Sequence, residues 1–142
     1  MLPKRILVAV AGTVVDPDLI RTAVTLAKPS HAEVTAVHVI EVRWNLPLDA
    51  VLEKETERGE ILLEEAVKVA EQAGGKIETE LLQAREAAAA IIDTARERQA
   101  DLVIVGMPFR KRLGRVYVGR TVESVYVGAS CSVLAYRQEE TR

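Results

Sequence analysis

The chain has 142 residues, of which 49% are hydrophobic and 28% are charged, and this balance predicts one globular domain over residues 1–142 without long disordered segments. Its 19 basic and 21 acidic residues give a net charge of −2, which argues against a general nucleic-acid or membrane-surface binder. No apolar run is long enough to span a membrane, and no secretory signal pattern precedes the first apolar run. We therefore expect a cytoplasmic protein with no membrane insertion and no nucleic-acid partner.

The first half of the chain alternates strands and helices. Residues 5–10 form an apolar run ended by Ala-Gly-Thr, which predicts a strand that is buried on both faces. Asp16 followed by Pro17 predicts the N-cap and first turn of a helix. Residues 33–40 predict a second strand, and a polar-rich segment from about 48 to 74, ended by two glycines, predicts a second helix.

The second half continues this alternation. Residues 76–82 alternate polar with less polar side chains, which predicts a strand at a sheet edge. The remaining predicted elements are a third helix near 88–95, a wholly apolar strand at 101–105, a fourth helix near 122–129, a last strand at 132–136 and a frayed tail at 137–142.

The alternation of strands and helices predicts an α/β fold with one doubly wound, five-stranded parallel sheet and helices on both faces. The two most apolar strands, 5–10 and 101–105, are expected at the centre, which gives the order 3-2-1-4-5. Ligands of such sheets bind beyond the carboxyl ends of the strands, where the winding reverses. The candidate site is therefore the segment 11–13 facing the segment 106–121.

Residues that support metal or nucleophilic chemistry are few. The single cysteine, Cys131, excludes an internal disulfide and is expected to be a small buried thiol. The two histidines without a CxxC motif form no recognisable metal cluster. His38 lies in a predicted strand, where we expect packing and one hydrogen bond, and the sequence nominates no catalytic partner for it. We therefore expect no metal and no catalytic residues.

Four segments resemble the universal stress protein family, and the likeness covers nearly the whole chain. They are Ile6-Leu7-Val8-Ala9-Val10-Ala11-Gly12-Thr13, Ala36-Val37-His38-Val39, the run from Ala100 to Gly106, and the ending from Gly119-Arg120-Thr121 to Ser132-Val133-Leu134. The resemblance implies a fold like that of the adenine nucleotide alpha hydrolases and a homodimer that forms through the last strand, 132–136. Such pairing protects a short apolar edge strand.

In nucleotide-binding members of that family, glycines after the fourth strand and a later Gly-Ser pair wrap an ATP phosphate chain. Gly106 and Gly119 match this pattern, whereas Phe109 replaces the second glycine and Arg120 replaces the serine. Ala11 replaces an aspartate that precedes the glycine of the first loop. These departures imply that ATP binding in the usual manner is weakened or lost, because a phenylalanine ring blocks close approach to phosphates.

A dense cluster of positive charge lies in the same region. Arg110, Lys111, Arg112, Arg115 and Arg120 place five cations within eleven residues. Arginine suits phosphate oxygens, so the cluster predicts binding of a nucleotide, another anion or an acidic partner. The alternative is a solvated loop whose charges serve solubility.

Two functions remain open from the sequence. The first is a homodimeric regulatory or stress-response module that acts through a protein partner, either a transporter or an acidic protein. The second is an adenine-nucleotide sensor, for ATP or AMP, that uses the arginine-rich loop with at most slow hydrolysis. Trp44 either stacks on an adenine ring or caps the open end of the core. The residues assigned to the candidate site are Ala11, Gly12, Thr13, Val37, Gly106, Met107, Phe109, Arg110, Arg112, Gly119, Arg120 and Thr121.

Overall fold

A five-stranded parallel sheet runs through the protein, and the computed structural model describes residues 2–140. The sheet strands are β1 (Arg5–Ala9), β2 (Glu33–Glu41), β3 (Glu78–Ala84), β4 (Leu102–Met107) and β7 (Ser132–Arg137), and a separate two-stranded ribbon contains β5 (Lys111–Arg112) and β6 (Arg115–Val116). The helices are α1 (Asp16–Ala27), α2 (Glu53–Gln72), α3 (Ala87–Glu97) and α4 (Arg120–Gly128), and a 3₁₀ turn at Lys28–Ser30 follows α1. Within residues 2–140, none of these helices combines the length and the apolar character that a bilayer crossing requires.

The strand order is β3-β2-β1-β4-β7, and every neighbouring pair is parallel. The predicted order 3-2-1-4-5 is therefore confirmed, with β7 as the fifth strand of the sheet. At the centre, Ile6 of β1 lies beside Val34 of β2 and Leu102 of β4, and all three are buried. The apolar strands β1 and β4 take the centre because both of their faces are covered, whereas the more polar β3 lies at an edge, as predicted.

Helices cover both faces of the sheet, which confirms the doubly wound α/β fold. Successive side chains of β1 point to opposite faces. Ile6 and Val8 pack in a cluster with residues of α1 and α2, whereas Leu7 packs in a second cluster with residues of α3 and α4. The winding reverses between β1 and β4, and this reversal leaves a crevice at the carboxyl ends of the two strands.

The start of α1 differs from the predicted cap. Asp16 is the first helical residue and Val15 precedes it, with no side-chain cap at that end of the helix. The Asp16 carboxylate instead accepts hydrogen bonds from the loop after β1. Pro17 lies in the first turn, as predicted, where its missing N–H needs no partner.

The second helix begins at Glu53 and not near residue 48. The preceding segment is held by the Gln83 side chain, whose Nε2 donates to the carbonyl oxygens of Leu48 and Ala50 at 2.9 and 3.1 Å. These carbonyl groups bond a side chain of β3 and not amides of a helix. Tertiary contacts therefore override the local helical pattern in this segment.

The basic loop contains a hairpin that the sequence pattern did not predict. Lys111 pairs with Val116 and Arg112 pairs with Arg115 in an antiparallel ribbon. Leu113 and Gly114 form its turn with φ angles of 52° and 74°. Glycine adopts this left-handed region freely, and its presence at the second position allows the tight reversal. We call residues 110–116 the basic hairpin.

The structure differs from the predicted frayed tail, 137–142, at its first residue. Arg137 belongs to β7, and the Gln138 N–H donates to the Met107 carbonyl oxygen at 3.0 Å. The Lys111 Nζ atom lies 3.2 Å from Oε1 of Glu140. The first contact joins the tail to β4, and the second joins Glu140 to the basic hairpin. Residues 141 and 142 lie outside the described residues.

Candidate functional site

A cleft of about 220 Å³ opens at the carboxyl ends of β1, β2 and β4, beside the first turns of α3 and α4. It lies where the winding of the sheet reverses, which is the position expected for a ligand in this architecture. Four of the residues assigned to the site from the sequence line it together, namely Ala11, Val37, Gly106 and Thr121. The other assigned residues do not line this cleft.

Two polar residues of the cleft were not assigned to the site from the sequence. His38 contacts the Val10 carbonyl oxygen through Nδ1 at 2.7 Å, which is the single hydrogen bond expected for it. Glu41 accepts the Ala87 N–H at 2.9 Å and so satisfies the first turn of α3. The signal that could have found both is their position, because they are the polar residues near the carboxyl end of β2, a strand next to the centre of the sheet. The second predicted strand was ended at residue 40, one residue too early to include Glu41.

The loop after β1 is closed by a carboxylate from its own chain. Asp16 accepts the Ala11 N–H at 3.1 Å through Oδ1 and the Gly12 N–H at 2.8 Å through Oδ2. Burial raises the pKa of the Asp16 carboxyl above its ordinary 3.8, although the hydrogen bonds from the loop amides oppose that shift. Gly12 has a φ of +82°, a conformation that favours glycine. These two amides are therefore already bonded to an anionic group.

Gly12 and Thr13 face away from the cleft. Both line a separate pocket of about 210 Å³, which contacts residues of α1 and α2. The Thr13 Oγ1 atom is buried and has no hydrogen-bond partner among residues 2–140. The short segment 11–13 thus divides between two pockets, with Ala11 at the cleft and Gly12 and Thr13 at the pocket beside α1 and α2.

The two glycines of the predicted phosphate pattern have different surroundings. A Cβ on Gly106 would lie 2.6 Å from Leu19 Cδ2 and 3.0 Å from the Tyr136 carbonyl oxygen, so packing disfavours a side chain there. The Gly119 N–H donates to Sδ of Met107 at 3.0 Å, just before α4 begins. The amide at this helix start is therefore taken by a neighbouring side chain.

Phe109 does not line the cleft, contrary to the expectation that its ring fills a phosphate path. Its ring lies beside β7, with the guanidinium of Arg137 at 5.0 Å and the ammonium of Lys111 at 5.8 Å from the ring centroid. Cations attract the face of an aromatic ring at these distances. The Phe109 N–H lies 3.4 Å from Oε1 of Gln138 as a weak hydrogen bond.

Three arginines of the predicted cationic cluster, Arg110, Arg112 and Arg120, are exposed. Arg110 and Arg112 of the basic hairpin are exposed and make no ion pair among the described residues. Arg120 begins α4, is 89% exposed at its side chain and approaches Oε1 of Glu86 only to 4.0 Å. The first turn of α4 has no side-chain cap. The partial positive charge of this helix start therefore adds to the charge of Arg120.

Trp44 lies outside the cleft. It is 78% exposed, so the expectation that it caps the core is wrong. Its ring contacts the Arg85 guanidinium at 4.8 Å and lines a different groove beside α3, which also removes it from the position expected for adenine stacking.

Cys131 is only partly buried, whereas the sequence predicted a small buried thiol. Burial is nevertheless the main cause that raises the pKa of its thiol, with the nearby Asp101 charge adding to the effect. A thiol with a raised pKa is a poor nucleophile at neutral pH. In the described part of the chain, no group of three or more His, Cys, Asp or Glu side chains is placed to hold a metal ion.

Comparison with known proteins places this geometry in a family. The model of the universal stress protein family matches residues 3–137. A universal stress protein from Methanocaldococcus jannaschii is 32% identical over an alignment that covers 96% of this chain and 84% of that protein.

Two solved structures share the fold. A universal stress protein from Archaeoglobus fulgidus superposes with a TM-score of 0.79 at 22% identity, covering 92% of this chain and 96% of that one. A structure of the Archaeoglobus fulgidus universal stress protein in complex with dAMP gives a TM-score of 0.75 at 22% identity, with 95% and 98% covered. From the family match over nearly its whole length and the shared fold, we conclude that the chain belongs to the universal stress protein family.

Proposed function

We propose that this chain is a homodimeric regulatory module that acts by binding a protein partner, and that triphosphate binding through its loop amides is weakened. One observation carries the proposal. Two backbone amides of the phosphate pattern, at Phe109 and Gly119, are already hydrogen-bonded inside the protein, and the Asp16 carboxylate holds the amides of the facing loop at Ala11 and Gly12. A phosphate must therefore displace internal acceptors before it can bind these amides.

The internal acceptors differ in strength. The Asp16 carboxylate holds two amides with charge-assisted hydrogen bonds, which are roughly twice as strong as neutral ones. Displacing it also leaves a negative charge next to the incoming phosphates. The Met107 sulfur is a weak acceptor and the Gln138 contact is long, so these two yield more easily. Asp16 is therefore the principal obstacle to a triphosphate.

The dimer is proposed through β7, the edge strand that pairs with β4 on one side only among residues 2–140. Leu134 of this strand is 41% exposed. An exposed apolar edge strand recruits another strand, and pairing with a second copy would satisfy its free backbone groups. The basic hairpin adjoins this edge and offers a positive surface to an acidic partner, for which a transporter or another acidic protein is suited.

The hydrogen bonds of the two polar side chains in the cleft support a protein that binds a ligand or partner without catalysing a reaction. His38 and Glu41 each contact a backbone group, at Val10 and Ala87 respectively. Within residues 2–140, neither makes a hydrogen bond to a serine, threonine or cysteine side chain, which a nucleophilic mechanism would need.

A second candidate function is adenine-nucleotide sensing, with at most slow hydrolysis. The cleft of about 220 Å³ and the uncapped start of α4 support it. A relative of the same fold binds dAMP, according to its structure. A monophosphate requires fewer amides than a triphosphate, so the exposed Arg120 and the helix start can hold it without displacing Asp16. In this second candidate function, ATP or AMP binds through the arginines, whereas relatives use loop amides.

Freeing the amides tests the first proposal against the second. A variant combining Asp16→Ala, Met107→Leu and Gln138→Ala removes the internal acceptors, and calorimetry should find ATP binding at least about tenfold tighter than in the parent. Asp18→Ala is the matched control, because it removes a carboxylate from the same helix that holds no loop amide. Mass spectrometry of gently purified parent protein should detect no stoichiometric nucleotide. Low-micromolar ATP binding by the parent would contradict the proposal and favour the sensor.

A further inference from the structure

A second concave surface lies beside α3, near the edge strand β3. It has a volume of about 500 Å³, and its apolar part comes from Trp44, Leu82, Ala89 and Ala90. We call it the Trp44 groove. Trp44 is the single tryptophan of the chain and is 78% exposed. A large aromatic side chain at the surface next to a groove is typical of a docking site.

The loop that carries Trp44 is held in place by one arginine. Arg85 Nη1 donates to the carbonyl oxygens of Arg43 at 2.6 Å and Leu46 at 2.8 Å. The same guanidinium lies 4.8 Å from the centroid of the Trp44 ring. The exposed ring is therefore positioned before any partner arrives, which lowers the entropic cost of binding. The positive charge of Arg85 is largely satisfied by these carbonyl groups.

Three carboxylates border the Trp44 groove, at Glu86, Asp93 and Glu97. Glu86 and Asp93 approach exposed arginines only to 4.0 Å, and Glu97 makes no ion pair in the described part of the chain. Exposed pairs at this distance contribute little and leave most of the negative charge available. The groove is thus apolar inside and acidic at its border, and it fits an apolar side chain flanked by cations.

The basic hairpin has the complementary chemistry. Leu113 at its turn is 99% exposed, and Arg112 and Arg115 flank it as the paired residues of the ribbon. Within its own chain the hairpin contacts the tail that follows β7, through Lys111 and Glu140. The Trp44 groove adjoins β3, the opposite edge of the sheet. β3 lies four strand positions from β7, which is about 19 Å at the usual spacing between strands. The hairpin of a second copy is therefore the complementary segment that this chain offers to the groove.

We propose that the Trp44 groove of one copy receives the basic hairpin of a second copy, with Leu113 against Trp44 and the hairpin cations against Glu86, Asp93 and Glu97. The contact joins two different surfaces, so it is heterologous and can extend an assembly beyond a pair. It involves neither the nucleotide-sized cleft nor the backbone edge of β7, and it shares only the basic hairpin with the proposed function. A hairpin tip covers a small area, so the contact is weak and salt-dependent.

The position of Trp44 provides a direct readout. A peptide of residues 109–118 contains no tryptophan, and titrating it into the full-length protein should shift the Trp44 emission to shorter wavelength with saturation. The same peptide with Leu113→Asp should bind at least about tenfold more weakly, because its apolar contact is lost. Raised salt should weaken the binding of the parent peptide. The absence of any shift up to about 1 mM peptide, together with a parent protein that sediments like both full-length variants described next, would overturn the proposal.

Two full-length variants test docking between copies. The groove variant carries Asp93→Lys and Glu97→Lys, and the hairpin variant carries Arg112→Glu and Leu113→Asp, all at exposed positions. Sedimentation at high concentration and low salt should show that the parent forms species larger than either variant does. A mixture of the variants should restore one contact, because the first retains its hairpin and the second its groove. If both variants sediment like the parent while the peptide still binds, the groove serves a cationic segment of another protein and docking between copies is wrong.

Discussion

Leu19 Cδ2 lies 2.6 Å from the position that a Cβ on Gly106 would occupy. This closeness packs α1 against the end of β4, and the Tyr136 carbonyl oxygen at 3.0 Å closes the same space from β7. Around Gly119, by contrast, the atom nearest to an added Cβ would be Met107 Sδ at 3.8 Å, an ordinary contact. Packing therefore disfavours a side chain at one glycine of the phosphate-type pattern and leaves the other free to change.

Substituting each glycine by serine should separate these roles. Gly106→Ser should lower the free energy of unfolding by about 1–3 kcal/mol, because the new side chain overpacks the Leu19 contact. Gly119→Ser should be neutral or slightly stabilising, since serine is a better N-cap than glycine for α4. Urea denaturation of both variants measures the difference. Equal losses in the two variants would contradict the packing argument for Gly106.

The Asp16 carboxylate predicts a pH dependence of stability. Because burial raises its pKa above 3.8 in the folded protein, the folded state retains a proton that the unfolded chain releases. The contribution of Asp16 to stability is therefore greatest below pH 3.8 and is lost as the pH rises through its raised folded pKa. The Tm of the parent minus the Tm of Asp16→Asn should decrease between about pH 3 and about pH 7. A difference that grows with pH would mean that the loop amides lower this pKa.

The proposed dimer predicts a mass near twice that of the chain in dilute solution at physiological salt. Leu134→Lys places a charge on the exposed edge strand and should shift the protein toward monomer, because lysine on an edge opposes strand pairing. Val14→Lys is the control, since Val14 is an exposed apolar residue of the loop after β1. Light scattering over a concentration series measures both. A parent protein that is monomeric at high micromolar concentration would rule out the β7 interface.

The exposed arginines between residues 110 and 120 predict anion binding. Sulfate or phosphate should bind where the start of α4 meets Arg112 and Arg120, and binding should weaken as salt rises. Arg112→Gln with Arg120→Gln should reduce that binding while the Tm changes by no more than a few degrees, because exposed charges contribute little to folding. Lys54→Gln with Lys68→Gln removes the same charge from exposed positions of α2 and should leave binding unchanged. Anion binding that survives the arginine changes would remove this surface from the site.

The sequence determined the fold by itself, because its dominant signal is the apolar character of whole strands. The runs that include Ile6 and Leu102 are apolar on both faces, which only the centre of a covered parallel sheet accommodates. The alternation of polar and less polar residues before Leu81 identified an edge strand, because a strand at a sheet edge is partly exposed to water. Strand order then placed the cleft, since ligand crevices follow from topology. Ala11 and Thr121 could therefore be assigned to one site although they are distant in the chain.

Only the tertiary structure decided which side chains occupy that site. The assignment of Asp16 as a helix cap used local spacing, but its carboxylate bonds the loop amides because the chain reverses after β1. Phe109 lies against Arg137, and Met107 accepts the Gly119 amide, through contacts between segments that no local pattern encodes. Such contacts depend on where a loop returns to the sheet. Sequence periodicity specifies which residues are buried, whereas the partner of each polar group depends on the packed geometry of the whole domain.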